Sequence, residues 1–293
     1  MQKRSEILKT YKLFIGGQFP RSESGHYFQV FSPKTKKPVA NVARGSRKDL
    51  RDAVTAARKA LPSWSAKTAY NRGQILYRMA EVLENRKEEL IVEMVKMTGC
   101  LHKKAEKEVT TCIDRLVWYA GWADKYQQIF GTVNPVAAPY FNFTLPEPVG
   151  VVGIIVSDEW PLVPLVSKLA PALVAGNTLV LIASEKYPLS AITFAEIIAT
   201  SDVPAGVVNI LTGIKKEMIG HLAKHMDVNS INYTGSDVSV LKMLQEEGSA
   251  NVKRVIAHDY PKGEEWLNNA KAQSPYWIHS FVEMKTTWHP IGI

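Results

Sequence analysis

The sequence predicts an α/β protein, a doubly wound parallel sheet preceded by an α-helical layer and flanked by a small β arm. Three observations predict it. Val149 to Val156 and Asn177 to Ile182 are unbroken apolar runs, as expected of strands buried on both faces. Each is followed by helically spaced apolar residues, at Pro161 to Leu173 and Leu189 to Ala199. The alternation then continues through a strand at Val207 to Leu211, a helix at Lys216 to Lys224 and a last strand at Ser230 to Tyr233.

The remaining elements follow in chain order. Leu13 to Phe19, around a Gly16-Gly17 turn, and Tyr27 to Ser32 read together as a small hairpin. Ser46 suits the N-cap of a helix through Leu50, Ala53, Ala57 and Leu61, which Pro62 should stop. Helical spacing recurs at Asn71 to Arg86 and at Lys87 to Thr98, where Gly99 provides a C-terminal stop. A fourth helix is expected from about Lys103 to Gln127. Thr132 to Pro148 carries four prolines around Tyr140, Phe141 and Phe143, and stands outside the sheet. Extended structure is expected again from Ile278 to His289.

Composition narrows the function classes. With 46% hydrophobic and 22% charged residues in 293, the chain is that of a soluble globular protein. The formal charge of +8 is interspersed with acidic residues, as in Arg47, Lys48, Asp49, Arg51 and Asp52, which argues against a nucleic-acid partner. No apolar run reaches the ~18 residues of a membrane span, and Met1 to Lys12 lacks a signal-peptide core, so a cytoplasmic protein is expected. Cys100 and Cys112 provide neither a disulfide framework nor metal-ligand spacing. They read as ordinary helix thiols.

The stretch EPVGVVGIIVSDEWPLVPLVSKLAPALVAGNTLVLIASEKYPLSAITFAEIIATSDVPAGVVNILTG, Glu147 to Gly213, resembles aldehyde dehydrogenases almost throughout. LFIGGQF, FSPKTKKPVANVA and AGWADK ahead of it, and FVEMKTTWHPIG at Phe281 to Gly292, resemble the same family in the same order. The DEWPL of Asp158 to Leu162 and the short tail are most similar to the second, non-catalytic unit of family 16 aldehyde dehydrogenases. The resemblance implies a Rossmann-like coenzyme-type domain at 1–131 and 149–258 and an oligomerisation arm at 132–148 plus 274–293. A connector at 259–273 would replace the catalytic domain. The residues from Leu241 to Ile293 are too few for that domain, which takes about 150 to 200 residues.

Oxidation of an aldehyde needs a thiolate, a donor for the oxyanion, a base and a bound nicotinamide. Where the family places its oxyanion-binding Asn this chain has Glu159, which accepts hydrogen bonds instead of donating them. Ile182 stands at the ribose-binding Lys, while Glu185 keeps the acidic ribose position. Gly235 and Ser236 begin the turn that faces the pyrophosphate, but Asp237 adds negative charge and Val240 replaces a Gly. Thr234 or Ser236 would then simply cap the next helix. The NVKRVIAHDYPK segment lacks the expected base Glu, and His258, Glu264 and Glu265 have no evident nucleophile to serve. His102, Lys103 and Lys104 beside Cys100 read as a solvated helix start.

The expectation is therefore a pseudoenzyme with no catalytic residues, no metal and no cofactor, with vestigial NAD binding through Glu185, Gly235 and Ser236. Tyr140, Phe141, Phe143, Trp277, Ile278, Phe281, Val282 and Trp288 would present an apolar, unpaired edge. Such an edge would bind a second copy or a catalytic aldehyde dehydrogenase subunit. Two alternatives remain: an NAD(H)- or nucleotide-binding module, and an NAD oxidoreductase active with a partner subunit.

Overall fold

The structure, a computed structural model, describes residues 7–257 and 261–292. The chain opens with β1 (Thr10–Tyr11), β2 (Tyr27–Phe31) and β3 (Pro38–Ala43), which form a small sheet in the order β1-β3-β2. The expected hairpin is corrected here. Tyr27–Phe31 pairs antiparallel with Pro38–Ala43, while Phe14 bridges to Ile210 instead. Ser32–Lys37 makes the turn, with the Lys36 amide donating to the Ser32 carbonyl at 2.9 Å.

The helical layer comprises α1 (Arg47–Ser65), α2 (Ala69–Asn85), α3 (Lys87–Thr98), α4 (His102–Trp122) and the short α5 (Tyr126–Phe130). Ser46 and Asp49 form a capping box at the start of α1. Pro62 does not stop that helix. It removes one backbone donor, but the last turn continues, held by Trp64, which is fully buried beyond it. Gly99 takes the left-handed C-cap of α3 at φ +73°, as expected. The predicted fourth helix is two helices, interrupted after Trp122.

Then follow β4 (Thr132–Asn134), β5 (Tyr140–Pro148), β6 (Val151–Ile155), α6 (Val163–Val174), β7 (Thr178–Ile182), α7 (Leu189–Ala199), β8 (Val208–Leu211), α8 (Lys215–Lys224), β9 (Ser230–Tyr233), α9 (Val238–Gly248) and β10 (Arg254–Ile256). The main sheet is parallel, in the order β10-β9-β6-β7-β8. Strand β10 was not expected, because three residues beginning with an exposed Arg leave almost no apolar pattern. Successive residues of β6 and β7 point to opposite cores. Val152, Ile154, Leu179 and Leu181 face α6, α7 and the helical layer, and Val151, Ile155, Val180 and Ile182 face α1, α8 and α9. This is a doubly wound α/β fold, with the strand order reversing at the parallel pair β6 and β9.

The chain ends in α10 (Asn269–Ala272), α11 (Pro275–His279) and β11 (Val282–Pro290). Strand β11 pairs antiparallel with β5 from Val282 opposite Pro148 to Pro290 opposite Tyr140, giving a three-stranded arm in the order β11-β5-β4. The strand expected from Ile278 is corrected at its start. Ser274 caps a helical turn by accepting from the Tyr276 amide, and Pro275 follows at its first position. The apolar edge is corrected with it. Ile278, Phe281 and Val282 are at most 2% exposed. They belong to the core on which α11 packs against α6, and are not free to meet a partner.

Candidate functional site

The fold places any ligand crevice at the carboxyl ends of β6, β7, β8 and β9, near the switch point. Asp158, just beyond β6, organises this edge. Its Oδ1 accepts from Ser184 Oγ at 2.7 Å, from the Glu185 amide at 2.8 Å and from the Lys186 amide at 3.3 Å. Its Oδ2 accepts from Lys215 Nζ at 2.6 Å. Burial pushes the Asp158 carboxyl up, but the Lys215 ammonium and these hydrogen bonds outweigh it and hold it below the usual carboxylate range.

Lys215 begins α8, and its side chain is only 16% exposed. Its ammonium also donates to the Val156 carbonyl at 2.7 Å. Its backbone amide donates to Glu185 Oε2 at 2.9 Å, so Glu185 satisfies the first turn of α8. Ile182 is fully buried within β7.

After β9, the helix α9 is capped by Asp237, and not by Thr234 or Ser236. Asp237 Oδ1 accepts from the Ser239 amide at 2.8 Å and from the Val240 amide at 3.4 Å. Thr234 Oγ1 instead donates to the Ile155 carbonyl at 2.8 Å. The Tyr233 phenol folds back over this turn, and the Asp237 amide donates to its oxygen at 3.2 Å. A Cβ on Gly235 would lie 2.3 Å from that oxygen, so any larger residue there must displace the chain's own ring.

A second cluster surrounds the start of α6. Glu159 Oε2 accepts from the Trp266 Nε1 at 2.9 Å and from the Gly263 amide at 3.1 Å. Trp160 Nε1 donates to the Gly263 carbonyl at 2.7 Å. The expected connector at 259–273 is thus, over its described residues, held to the domain by these contacts and by two short helical segments, Gly263–Leu267 and Asn269–Ala272. Arg115 donates to the Trp266 carbonyl at 3.0 Å, and Lys168 lies 3.2 Å from the Trp277 ring centroid. Beneath this cover, Glu108 of α4 accepts from the Leu162 and Val163 amides at 2.7 and 3.0 Å, supplying the acceptor at the head of α6. Burial raises the Glu108 carboxyl to about 7 despite those two bonds. Burial also drives the Lys168 ammonium well down.

The thiols do not join either cluster as nucleophiles. Cys112 is buried and its pKa is raised well above the ordinary value by burial and then by Glu108. Near Cys100, His102 meets Glu88 at 3.1 Å and Lys104 meets Glu264 at 3.2 Å. Glu265 pairs with Lys271, and His258 lies outside the described residues. Among the described residues no group of three His, Cys, Asp or Glu is arranged for a metal, and no helix is long and apolar enough to cross a membrane.

Of the expected interface residues, Tyr140, Phe141 and Trp288 are 40%, 44% and 57% exposed, while Phe143 and Trp277 are half-buried. Phe141, Phe143, Leu145 and Val133 line an open groove of about 430 Å³ on one face of the arm. Sequence reasoning missed Glu108, Asp158 and Lys215. Of these only Asp158, directly after an apolar run, carried a signal in its position.

A family model described as the aldehyde dehydrogenase family matches residues 19–258. Human aldehyde dehydrogenase 1A1 is 38% identical over 250 residues, covering 83% of this chain and 49% of that protein. The omega-crystallin of Enteroctopus dofleini is 35% identical over 250 residues, with 84% and 50% covered. Among solved structures, an aldehyde dehydrogenase from Bacillus cereus in complex with NAD+ superimposes with a TM-score of 0.80 at 31% identity, covering 89% of this chain and 55% of that one. The chain spans about half the length of the curated relatives it matches.

Proposed function

The chain belongs to the aldehyde dehydrogenase family, and on that premise we propose that it is a non-catalytic module acting by association, as a structural or regulatory subunit. Its partner is a second copy of itself or a catalytic aldehyde dehydrogenase subunit, met through the β arm. Within the family, the nearest relationship in this reading is to the second, non-catalytic unit of family 16.

The observation that carries the reading is the arm itself. Strand β11 exposes every residue from Glu283 to Pro290, and its outer edge has no strand beside it among the described residues. Elsewhere on the arm, over β4 and β5, the groove of Phe141, Phe143, Leu145 and Val133 is apolar. A long unpaired edge is what strand addition uses, and the groove gives the same arm a second apolar surface for a partner. Glu159 supports the non-catalytic half, since its carboxylate is an acceptor already engaged by Gly263 and Trp266 and opposes a developing oxyanion.

Light scattering on the purified chain, alone and co-expressed with a catalytic aldehyde dehydrogenase, tests the proposal. A defined homodimer or mixed complex is the expected result. A monomer indifferent to the second protein overturns the association reading. Aldehyde-dependent NADH formation by the chain alone overturns the non-catalytic one.

A further inference from the structure

We infer that the nucleotide crevice at the carboxyl edge of the main sheet is occupied by the chain's own side chains, with Lys215 as the internal cation, and that NAD does not fit it. The inference rests on the non-catalytic reading and explains how that state is built.

A dinucleotide in such a crevice draws on three features: an acidic acceptor for a ribose hydroxyl, free amides at a helix N-terminus for a phosphate, and a glycine where backbone must approach closely. Each is present here and each is spent. Glu185 is the acidic group, yet its Oε2 takes the Lys215 amide at 2.9 Å. The first turn of α9 has its amides on the Asp237 carboxylate, which leaves a negative charge where a phosphate would come. Gly235 has the Tyr233 ring against it, with three ring and hydroxyl atoms within 2.6 Å of the place a Cβ would take.

Lys215 completes the closure. Its ammonium lies between the Val156 carbonyl and Asp158, at the end of β6, and Asp158 is in turn tied to Ser184 and to two amides of the turn after β7. The ion pair thus stitches β6, β7 and the start of α8 together across the mouth of the crevice. To admit a nucleotide, the chain must expel a mostly buried ammonium and leave Asp158 facing the incoming phosphates. Asp158, Glu185 and Asp237 set three carboxylates around the position, and Coulomb repulsion of a dianionic pyrophosphate acts in the same direction.

Titration calorimetry with NAD on the full chain, taken to millimolar ligand, tests this. The wild type is expected to show no saturable heat. Asp158→Asn and Lys215→Gly combined with Asp237→Ser, which removes the internal cation together with its carboxylate partner and keeps a cap on α9 without the charge, is expected to bind NAD saturably, at least about tenfold more tightly than wild type. Circular dichroism and the unfolding temperature check that the variant is folded. Saturable wild-type binding, with NAD-dependent hydrogen-exchange protection of the amides at the starts of α8 and α9, overturns the inference, and this arm needs no variant. A folded triple variant that remains silent overturns the assignment of Asp158, Lys215 and Asp237 as the closing groups. Wild-type NAD binding in a chain that still forms a defined complex by light scattering sinks the closed crevice alone, whereas an indifferent monomer that ignores NAD sinks the association reading alone.

Discussion

In the main sheet every residue of β6, β7, β8 and β9 is buried, whereas in the arm β5 alternates and β11 is exposed from Glu283 onward. The two sheets meet the same need to pair backbone groups by opposite means. Helices cover both faces of the parallel sheet, so β6 to β9 are buried at every position, mostly with apolar side chains, and the sheet's stability is internal. The antiparallel arm gains pairing from β5 on one side of β11 and leaves the other side to solvent or to a partner. The core therefore governs whether the chain folds, and under the proposed function the arm governs what it meets.

The largest predicted contrast is between two aromatic truncations. Phe194→Ala, at a fully buried site in α7, should cost about 3–5 kcal/mol by urea denaturation. Trp288→Ala on the arm should cost less than about 1 kcal/mol. Equal losses at the two sites would erase the distinction between core and arm.

The next effect tests burial beneath the 263–281 cover. Folded Glu108 keeps its proton to about 7, while the ordinary carboxyl loses it near 4.5. Between those values the folded chain binds more protons than the unfolded one, so this site loses stability as pH rises through them, by roughly 3 kcal/mol in all. Glu108→Gln retains an acceptor for the Leu162 and Val163 amides and should remove that part of the slope. Parallel wild-type and variant stability curves over the same pH range would contradict the burial of this group.

Smaller again is Glu159→Ala, which removes the acceptor for Gly263 and Trp266. A loss of about 1–3 kcal/mol is expected, with faster hydrogen exchange confined to the 263–267 turn. Unchanged exchange there would deny Glu159 its positioning role. The smallest effect on stability and the sharpest test of the arm is Trp288→Lys. It should shift unfolding by no more than about 0.5 kcal/mol while lowering the mass of any complex seen by light scattering. An unaltered complex would move the contact away from β11.

Several elements were legible because short-range chemistry determines them. Ser46 caps α1, Gly99 ends α3, and the apolar runs at Val149 and Asn177 become β6 and β7. The misreadings share a cause. Pro62 fails to end α1 because Trp64 beyond it is held by distant packing, and Ile278, Phe281 and Val282 are buried in a core shared with helix α6, which lies more than a hundred residues earlier. No local pattern encodes either contact.

The candidate site divides in the same way. The sequence by itself determined the doubly wound architecture, since apolar runs and strand period settle it, while its resemblance to the family marked Glu159 and Ile182 as positions where an Asn and a Lys were expected. Only the tertiary structure decided what the remaining polar groups do. It brought Lys215 to Asp158, gave Glu185 the amide of α8, folded Tyr233 onto Gly235 and set the 263–281 segment on Glu159. The physical reason is that a buried polar group must find a partner, and which partner it finds depends on what the fold brings within about 3 Å, not on distance along the chain.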